Sequence, residues 1–563
     1  MNATTSYIVT RNVLLPMRDG IRLSADLWLP DTKEPVAAIL FRTPYDRRAY
    51  NPDVLRPQQC VEAGFAAIVQ DMRGRFGSEG EWEPLNWAQE GADSYDTIEW
   101  IAAQSWCSAS VGMSGLSYCG TTQLAASLTH PPHLMAIAPT MASSPEFDRL
   151  ETGGALRLDL GVSWLVVTAL DWLLRRRAAG LAAPEAEALI LRAVQDPRFL
   201  YDVRPLREMP LFSIEGFPIS FDELYTRLNS PTDRNGIDLD IPTLHIGGWY
   251  DYSHSTAVNL FRRQVAAGNP HSHLIMGPWT HSGHLPQVQG QVNFGAMASG
   301  AASRLHELVL TFFRRHLKKE TVQLPCVRYF LMSSGEWRTD SEWPPKDSTV
   351  RRMYLGMASG VGALTDSITN QDVASDDYQY DPRDPTPTVG GRTLGVGRLS
   401  MGPIAQQALD HLSDMLRYTS QPLFESLDIA GSVAATLWVS SSALDTDFIV
   451  KLIDVDVNEI ALPICEGTLR LRYRTGFDQE MPYTPGAVEQ LQIPLGHVAW
   501  RVLPGHRLRV QIQSANFPHL DANSNLGDAL GTGVAVTTAT NKVFRDRIRA
   551  SFIELDVLAR TAH

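Results

Sequence analysis

The sequence predicts an α/β class: a mostly parallel sheet split by a helical insertion and followed by an all-β domain. Three observations carry this. Strand-like and helix-like segments alternate over roughly the first 140 residues, the habit of a parallel sheet covered on both faces. The alternation gives way near Ser143 to helical periods, lasting to about Asn235, and then resumes. Beyond about residue 347, strand-like runs succeed one another between Gly and Pro punctuation without helical segments.

Residues 21–29 alternate as a half-buried strand after the turn Arg18-Asp19-Gly20, and 36–41 and 65–69 are short apolar runs suited to central strands. Tyr95, Ile98, Ile101 and Ala102 recur at helical spacing ahead of a strand at 110–113. Helices are expected over 161–177 and, with Pro184 at a first helical position, over 185–194. The pattern resumes with a strand at 241–246, a helix at 255–267 stopped by Gly268-Asn269-Pro270, and a strand at 273–276. The expected organisation is therefore a discontinuous domain of residues 1–142 and 236–346, a cap of 143–235, and a β domain of 347–563. In that last part Leu469, Leu471 and Tyr473 alternate with Arg470, Arg472 and Arg474. Leu508, Val510 and Ile512 alternate with Arg509, Gln511 and Gln513. One face buried and one wet argues for an antiparallel sandwich, of which a jelly roll is one form. Residues 366–395 read as loop.

Among the 563 residues, 62 Asp and Glu against 49 Lys and Arg give a net charge of −13. That balance repels phosphate backbones and anionic membranes, so neither nucleic acid nor membrane is expected as a partner. The five cysteines, Cys60, Cys107, Cys119, Cys326 and Cys465, form no zinc-ligand spacing and read as reduced thiols. No metal or cofactor is called for, a homo-oligomer is one possible assembly, and the expected compartment is the cytoplasm. The longest apolar stretch, 161–174, is interrupted by Ser163, Thr168 and Asp171, which fits a buried or cap helix rather than a membrane span.

The chemistry concentrates around Gly115-Leu116-Ser117-Tyr118-Cys119-Gly120, a strand, a Gly-x-Ser turn and a helix that together make a nucleophile elbow. The usual small residue at 119 is replaced by Cys119, with the glycine one place later. Two further loops follow strands in the order such hydrolases use, nucleophile then acid then base: Gly248-Trp249-Tyr250-Asp251 and Gly277-Pro278-Trp279-Thr280-His281. A serine hydroxyl needs a base, and the imidazole needs a carboxylate to fix its tautomer; Asp251 and His281 fit those roles. His254 and His284 are rivals for the base, and Asp251 could instead cap the following helix. The glycines of 71–80 lack the spacing and Lys-Ser/Thr ending of a phosphate loop.

These segments resemble the cocaine-esterase and X-Pro dipeptidyl-peptidase family of hydrolases, which includes cephalosporin acylases and α-amino acid ester hydrolases. The matching stretches, in order, are Met17-Arg18-Asp19-Gly20, Thr43-Pro44-Tyr45, Asp71-Met72-Arg73-Gly74 with Gly77-Ser78-Glu79-Gly80, the elbow, and the two loops above. Asp445-Thr446-Asp447-Phe448 and Asn516-Phe517-Pro518 extend the likeness through nearly the whole chain. The resemblance implies an α/β-hydrolase domain, an inserted helical cap and a jelly-roll domain. It also implies that the Tyr118 N–H and the Tyr45 phenol donate to the oxyanion of the tetrahedral intermediate. Tyr252, Ser253 and His254 stand where the α-amino acid ester hydrolases carry acidic residues, which disfavours an α-amino acyl group. The extra N-terminal region of some X-Pro dipeptidyl-peptidases is missing, which weighs against that strict activity.

The expected function is hydrolysis of a small-molecule ester or amide through an acyl-enzyme on Ser117. Trp164, Leu165, Trp172 and Phe147 are candidates for an apolar acyl pocket, although such spacing on a helix also suits a core. Acyl transfer to an amine or alcohol by the same residues is one alternative, and a non-catalytic binding protein with a relict site is another.

Overall fold

A computed structural model describes residues 6–50, 54–229, 239–281, 283–284, 286–395 and 399–559. The first sheet contains β1 (Tyr7–Pro16), β2 (Arg22–Pro30), β3 (Val36–Thr43), β4 (Ala66–Asp71), β5 (Cys107–Leu116), β6 (Leu134–Thr140), β7 (Thr243–Tyr250), β8 (Ser272–Thr280), β9 (Val327–Leu331) and β10 (Glu336–Asp340). Their order is β1-β2-β4-β3-β5-β6-β7-β8-β9-β10. From β4 to β9 neighbouring strands run parallel, while β1, β2 and β10 pair antiparallel at the edges. β4, β7 and β8 are buried along their whole length, which explains their continuous apolar runs.

Helix α1 (Trp87–Ala102) precedes β5 and α2 (Tyr118–Ser127) follows it. The Asn86 side chain caps α1 by accepting the Gln89 N–H at 3.2 Å. Between β6 and β7 lies a helical segment with α3 (Pro145–Thr152), a π-helical turn (Asp159–Trp164), α4 (Leu165–Ala178), α5 (Pro184–Gln195) and α6 (Phe221–Asn229). Pro145 and Pro184 occupy first-turn positions, where a missing N–H costs nothing. This segment packs around its own core, which includes Leu165, Trp172, Ile190 and Leu200. Helix α7 (His254–Ala266) then connects β7 to β8. The expected boundary between residues 235 and 236 lies outside the described residues.

The remaining strands, from Ser348–Ala358 to Phe552–Leu558, form an eleven-stranded and almost wholly antiparallel β region. Three local expectations change. Ser375–Tyr380, inside the stretch read as loop, is a strand paired with Ala539–Phe544; only Tyr378 and Tyr380 are buried, so its polar positions mask the pattern. The alternation at 469–473 does not continue as a strand with a wet arginine face. The strand ends at Arg470, and Arg470 and Arg472 are buried against Asp447, Asp521 and Asp445. Gln511 and Gln513 are also buried, because Gln511 donates to Gln513 at 2.7 Å and Gln513 to the Ala515 carbonyl at 2.6 Å. Among the described residues no helix is long and apolar enough to cross a membrane.

Candidate active site

Strand β5 delivers Ser117 to a sharp turn in which its φ of 60° and ψ of −125° are strained for a residue with a side chain. The turn is over-determined. Ser117 N–H donates to the Thr140 carbonyl at 2.9 Å, and the Ser117 carbonyl accepts from Gly120 and Thr121 at 2.7 and 3.0 Å. At Gly115, with φ of +150°, a Cβ would sit 2.5 Å from the Cβ of Cys119, so glycine here lets the first turn of the helix close against the strand. At Gly120 a Cβ would lie 2.9 Å from that of Ala142.

Asp251 follows β7 and His281 follows β8, on neighbouring parallel strands at the same sheet edge as Ser117. His281 Nε2 lies 2.9 Å from Ser117 Oγ, and His281 Nδ1 lies 2.6 Å from Asp251 Oδ2. The other Asp251 oxygen accepts the Ser253 N–H at 2.8 Å and the Ser253 hydroxyl, and the carboxylate is fully buried. The Tyr252 ring packs on the imidazole with centroids 4.6 Å apart, and Ser143 Oγ donates to the Tyr252 hydroxyl at 2.9 Å. Ser253 and Tyr252 were readable only as non-acidic neighbours of Asp251; no local pattern marks them as supports. The rival histidines lie elsewhere. His254 is buried with Nδ1 2.8 Å from Glu151, and His284 is buried with its ring 5.6 Å from that of Trp279. Asp251 does not cap α7, since its free oxygen serves Ser253.

Beside Ser117 opens a cavity lined mainly by apolar and aromatic side chains. Tyr118, the first residue of α2, lines it and presents a backbone N–H that no carbonyl of its own helix can accept. Tyr45 lines it too, as Ser117 does, and its hydroxyl accepts the Trp164 indole N–H at 2.9 Å. Although 37% of Tyr45 is exposed, its hydroxyl sits against the buried Trp164; burial pushes the phenol up to about 12, so it remains a neutral donor. Trp164 forms part of the wall, with Leu160, Leu228 and Leu394. The other three pocket candidates do not line this cavity. Leu165 is fully buried in the helical segment's core, Trp172 borders a separate groove with Arg176 and Leu181, and Phe147 packs into the sheet core beneath Arg263.

Two buried carboxyls flank the cavity. Asp148 of α3 lines it, with one oxygen lacking a hydrogen-bond partner, and burial raises its carboxyl to about 7. Glu90, behind the Tyr118 hydroxyl, is likewise raised to about 7 by burial despite the opposing charge of Arg42. Among the described residues no group of three or more His, Cys, Asp or Glu is arranged to hold a metal ion.

Residues 19–283 match the family model of the X-Pro dipeptidyl-peptidase (S15 family), and residues 320–553 match that of the X-Pro dipeptidyl-peptidase C-terminal non-catalytic domain. The cocaine esterase of Rhodococcus sp. (strain MB1 Bresler) is 34% identical over 579 aligned positions, covering 99% of both chains. Among solved structures, an aminopeptidase from a marine sediment Thaumarchaeota archaeon superposes with a TM-score of 0.80 at 22% identity, over 99% of this chain and 98% of that one. An α-amino acid ester hydrolase superposes with a TM-score of 0.73 at 24% identity, over 99% and 97% of the two chains. The last two likenesses speak to fold; the full-length identity to the esterase speaks to descent, and by it the chain belongs to the cocaine-esterase and X-Pro dipeptidyl-peptidase (CocE/NonD) family of hydrolases.

Proposed function

We propose that this protein hydrolyses an ester or amide bond of a small molecule through an acyl-enzyme on Ser117, with His281 as general base and acid and Asp251 as its orienting carboxylate. The observation that carries the reading is the unbroken contact from Ser117 Oγ to His281 Nε2 at 2.9 Å and from His281 Nδ1 to Asp251 at 2.6 Å, beside a largely apolar cavity. The Rhodococcus relative named as a cocaine esterase favours an ester over an amide. Ser117 Oγ attacks the carbonyl carbon while its proton passes to His281 Nε2. The oxyanion then takes hydrogen bonds from the Tyr118 N–H and the Tyr45 hydroxyl. His281 returns the proton to the departing alcohol or amine as that bond breaks. Water, deprotonated by the same nitrogen, releases the acid and restores Ser117.

For the architecture, we infer a discontinuous α/β-hydrolase domain of residues 1–142 and 236–346, a helical cap of 143–235 and a jelly-roll domain of 347–563. Support comes from the helical segment between β6 and β7 and from the antiparallel region after residue 347.

The reading is tested by a fluorophosphonate probe and an aryl-ester assay on wild type and Ser117→Ala. Wild type should label at Ser117 and turn over the ester; Ser117→Ala should do neither. Equal turnover by the two proteins would refute it.

A further inference from the structure

We propose that Trp164 is a positioning residue for the oxyanion donor Tyr45, its indole N–H fixing the direction in which the phenol points its proton. This rests on the acyl-enzyme reading above and adds to it a residue that sets the direction of the donor. An indole nitrogen can only donate, whereas a phenol oxygen both donates and accepts, with a proton that rotates to suit its neighbours. Trp164 Nε1 lies 2.9 Å from Tyr45 Oη and occupies an accepting side of that oxygen. A phenol proton turned toward Trp164 would meet another proton. The orientations left open point away from the indole, and Tyr45 shares the lining of the cavity with Ser117.

The indole is itself held by two neighbouring rings and by the turn that carries it. Its ring stacks on Tyr118 with centroids 5.5 Å apart and planes within 10°, and meets the edge of Trp82 at 6.1 Å. It ends the π-helical turn Asp159–Trp164, a rare element that often marks functional positions. That turn starts at the fully buried Asp159, whose Oδ2 accepts the Leu394 N–H at 2.8 Å and lies 3.1 Å from His519 Nδ1. The β region thus anchors the turn that presents Trp164. A donor oriented before the reaction needs no reorganisation when charge develops, and an N–H accepted by the phenol oxygen polarises its O–H bond.

The test is a double-mutant cycle with aryl-ester kinetics on the full-length protein. Trp164→Phe keeps a flat ring on Tyr118 and removes the N–H; replacing the indole by benzothiophene through nonsense suppression removes the N–H and keeps the shape. Each should lower kcat about tenfold with KM within about twofold. Tyr45→Phe should lower kcat by roughly 100- to 1,000-fold, the usual loss for one oxyanion donor. Adding Trp164→Phe to Tyr45→Phe should then change nothing further. Full kcat in the benzothiophene protein, losses that multiply in the double mutant, or a change in KM alone would overturn the proposal. Fluorophosphonate labelling runs alongside: if Ser117 of the wild type labels, such a result sinks the role of Trp164 alone, whereas an unlabelled wild type sinks the acyl-enzyme reading.

Discussion

Replacing Asp251 by asparagine removes a charge while preserving shape, and the hydrogen bonds around residue 251 dictate which way the new amide turns. The Oδ1 position receives two donors from Ser253, its backbone N–H at 2.8 Å and its hydroxyl. An amide nitrogen there would oppose a fixed N–H, so the asparagine carbonyl takes that side and its NH₂ faces His281. The imidazole must then accept at Nδ1 and carry its proton on Nε2, the nitrogen that should take the proton from Ser117 2.9 Å away. With the carboxylate fully buried, no solvent can stand in for the lost charge beside the imidazolium. A wrong tautomer of this kind costs roughly 10⁴ in kcat, about 5.4 kcal/mol of barrier. The assay is steady-state hydrolysis of a p-nitrophenyl ester by wild type and Asp251→Asn, with melting temperatures showing that both are folded. A folded Asp251→Asn protein retaining more than a tenth of wild-type kcat would refute the assignment of Asp251 as the orienting group.

Two further outcomes concern pH. Burial holds His245 and His316 at about 4, below the ~6.5 of an unfolded chain. Above pH 6.5 both states are neutral and stability is intact; between 6.5 and 4 the unfolded chain binds protons the folded one refuses. Stability should therefore fall with falling pH, by up to about 1.4 kcal/mol per pH unit for each histidine. Asp148 and Glu90, held high, work in the opposite direction. The informative comparison is thus the melting temperature of wild type and His316→Gln from pH 7.5 to 5: the variant should show the shallower decline, and identical slopes would contradict the assignment. Asp148 should gain its charge near pH 7 in the cavity wall. The KM of an ester with an anionic acyl group, relative to a neutral one, should rise on the order of tenfold from pH 6 to 8, as for like charges about 10 Å apart at an effective dielectric near 20. Asp148→Asn should abolish that rise, and an unchanged ratio in wild type would count against it.

The elbow, the two post-strand loops and the parallel order of the first sheet were legible because each has a local signature: a Gly-x-Ser turn, a residue just past an apolar run, a helix between strands. The cavity was not. Trp164 and Trp172 share one apolar stretch, but eight residues of helix separate them by about 12 Å, enough to put the second in another groove. Periodicity shows that Leu165 and Phe147 are buried without showing what buries them. Asp148, Leu228 and Leu394 come together from α3, α6 and a loop of the β region, a convergence no local pattern encodes. Arg470 and Arg472 misled for a related reason: alternation implies a wet face only where no aspartates from elsewhere in the chain wait to cover it.

Leu394 has one more implication, because it belongs to a part of the chain remote from the reacting groups. Residues 19–283, the stretch matched by the peptidase family model, contain Ser117, Asp251 and His281 and every residue lining the cavity except Leu394. Leu394 thus ties one wall of the cavity to the downstream half of the chain. A chimera joined near residue 320, exchanging only the downstream half with a relative, would keep residues 117, 251 and 281 but replace the wall at 394 and remake the Leu394 and His519 contacts that anchor the turn carrying Trp164.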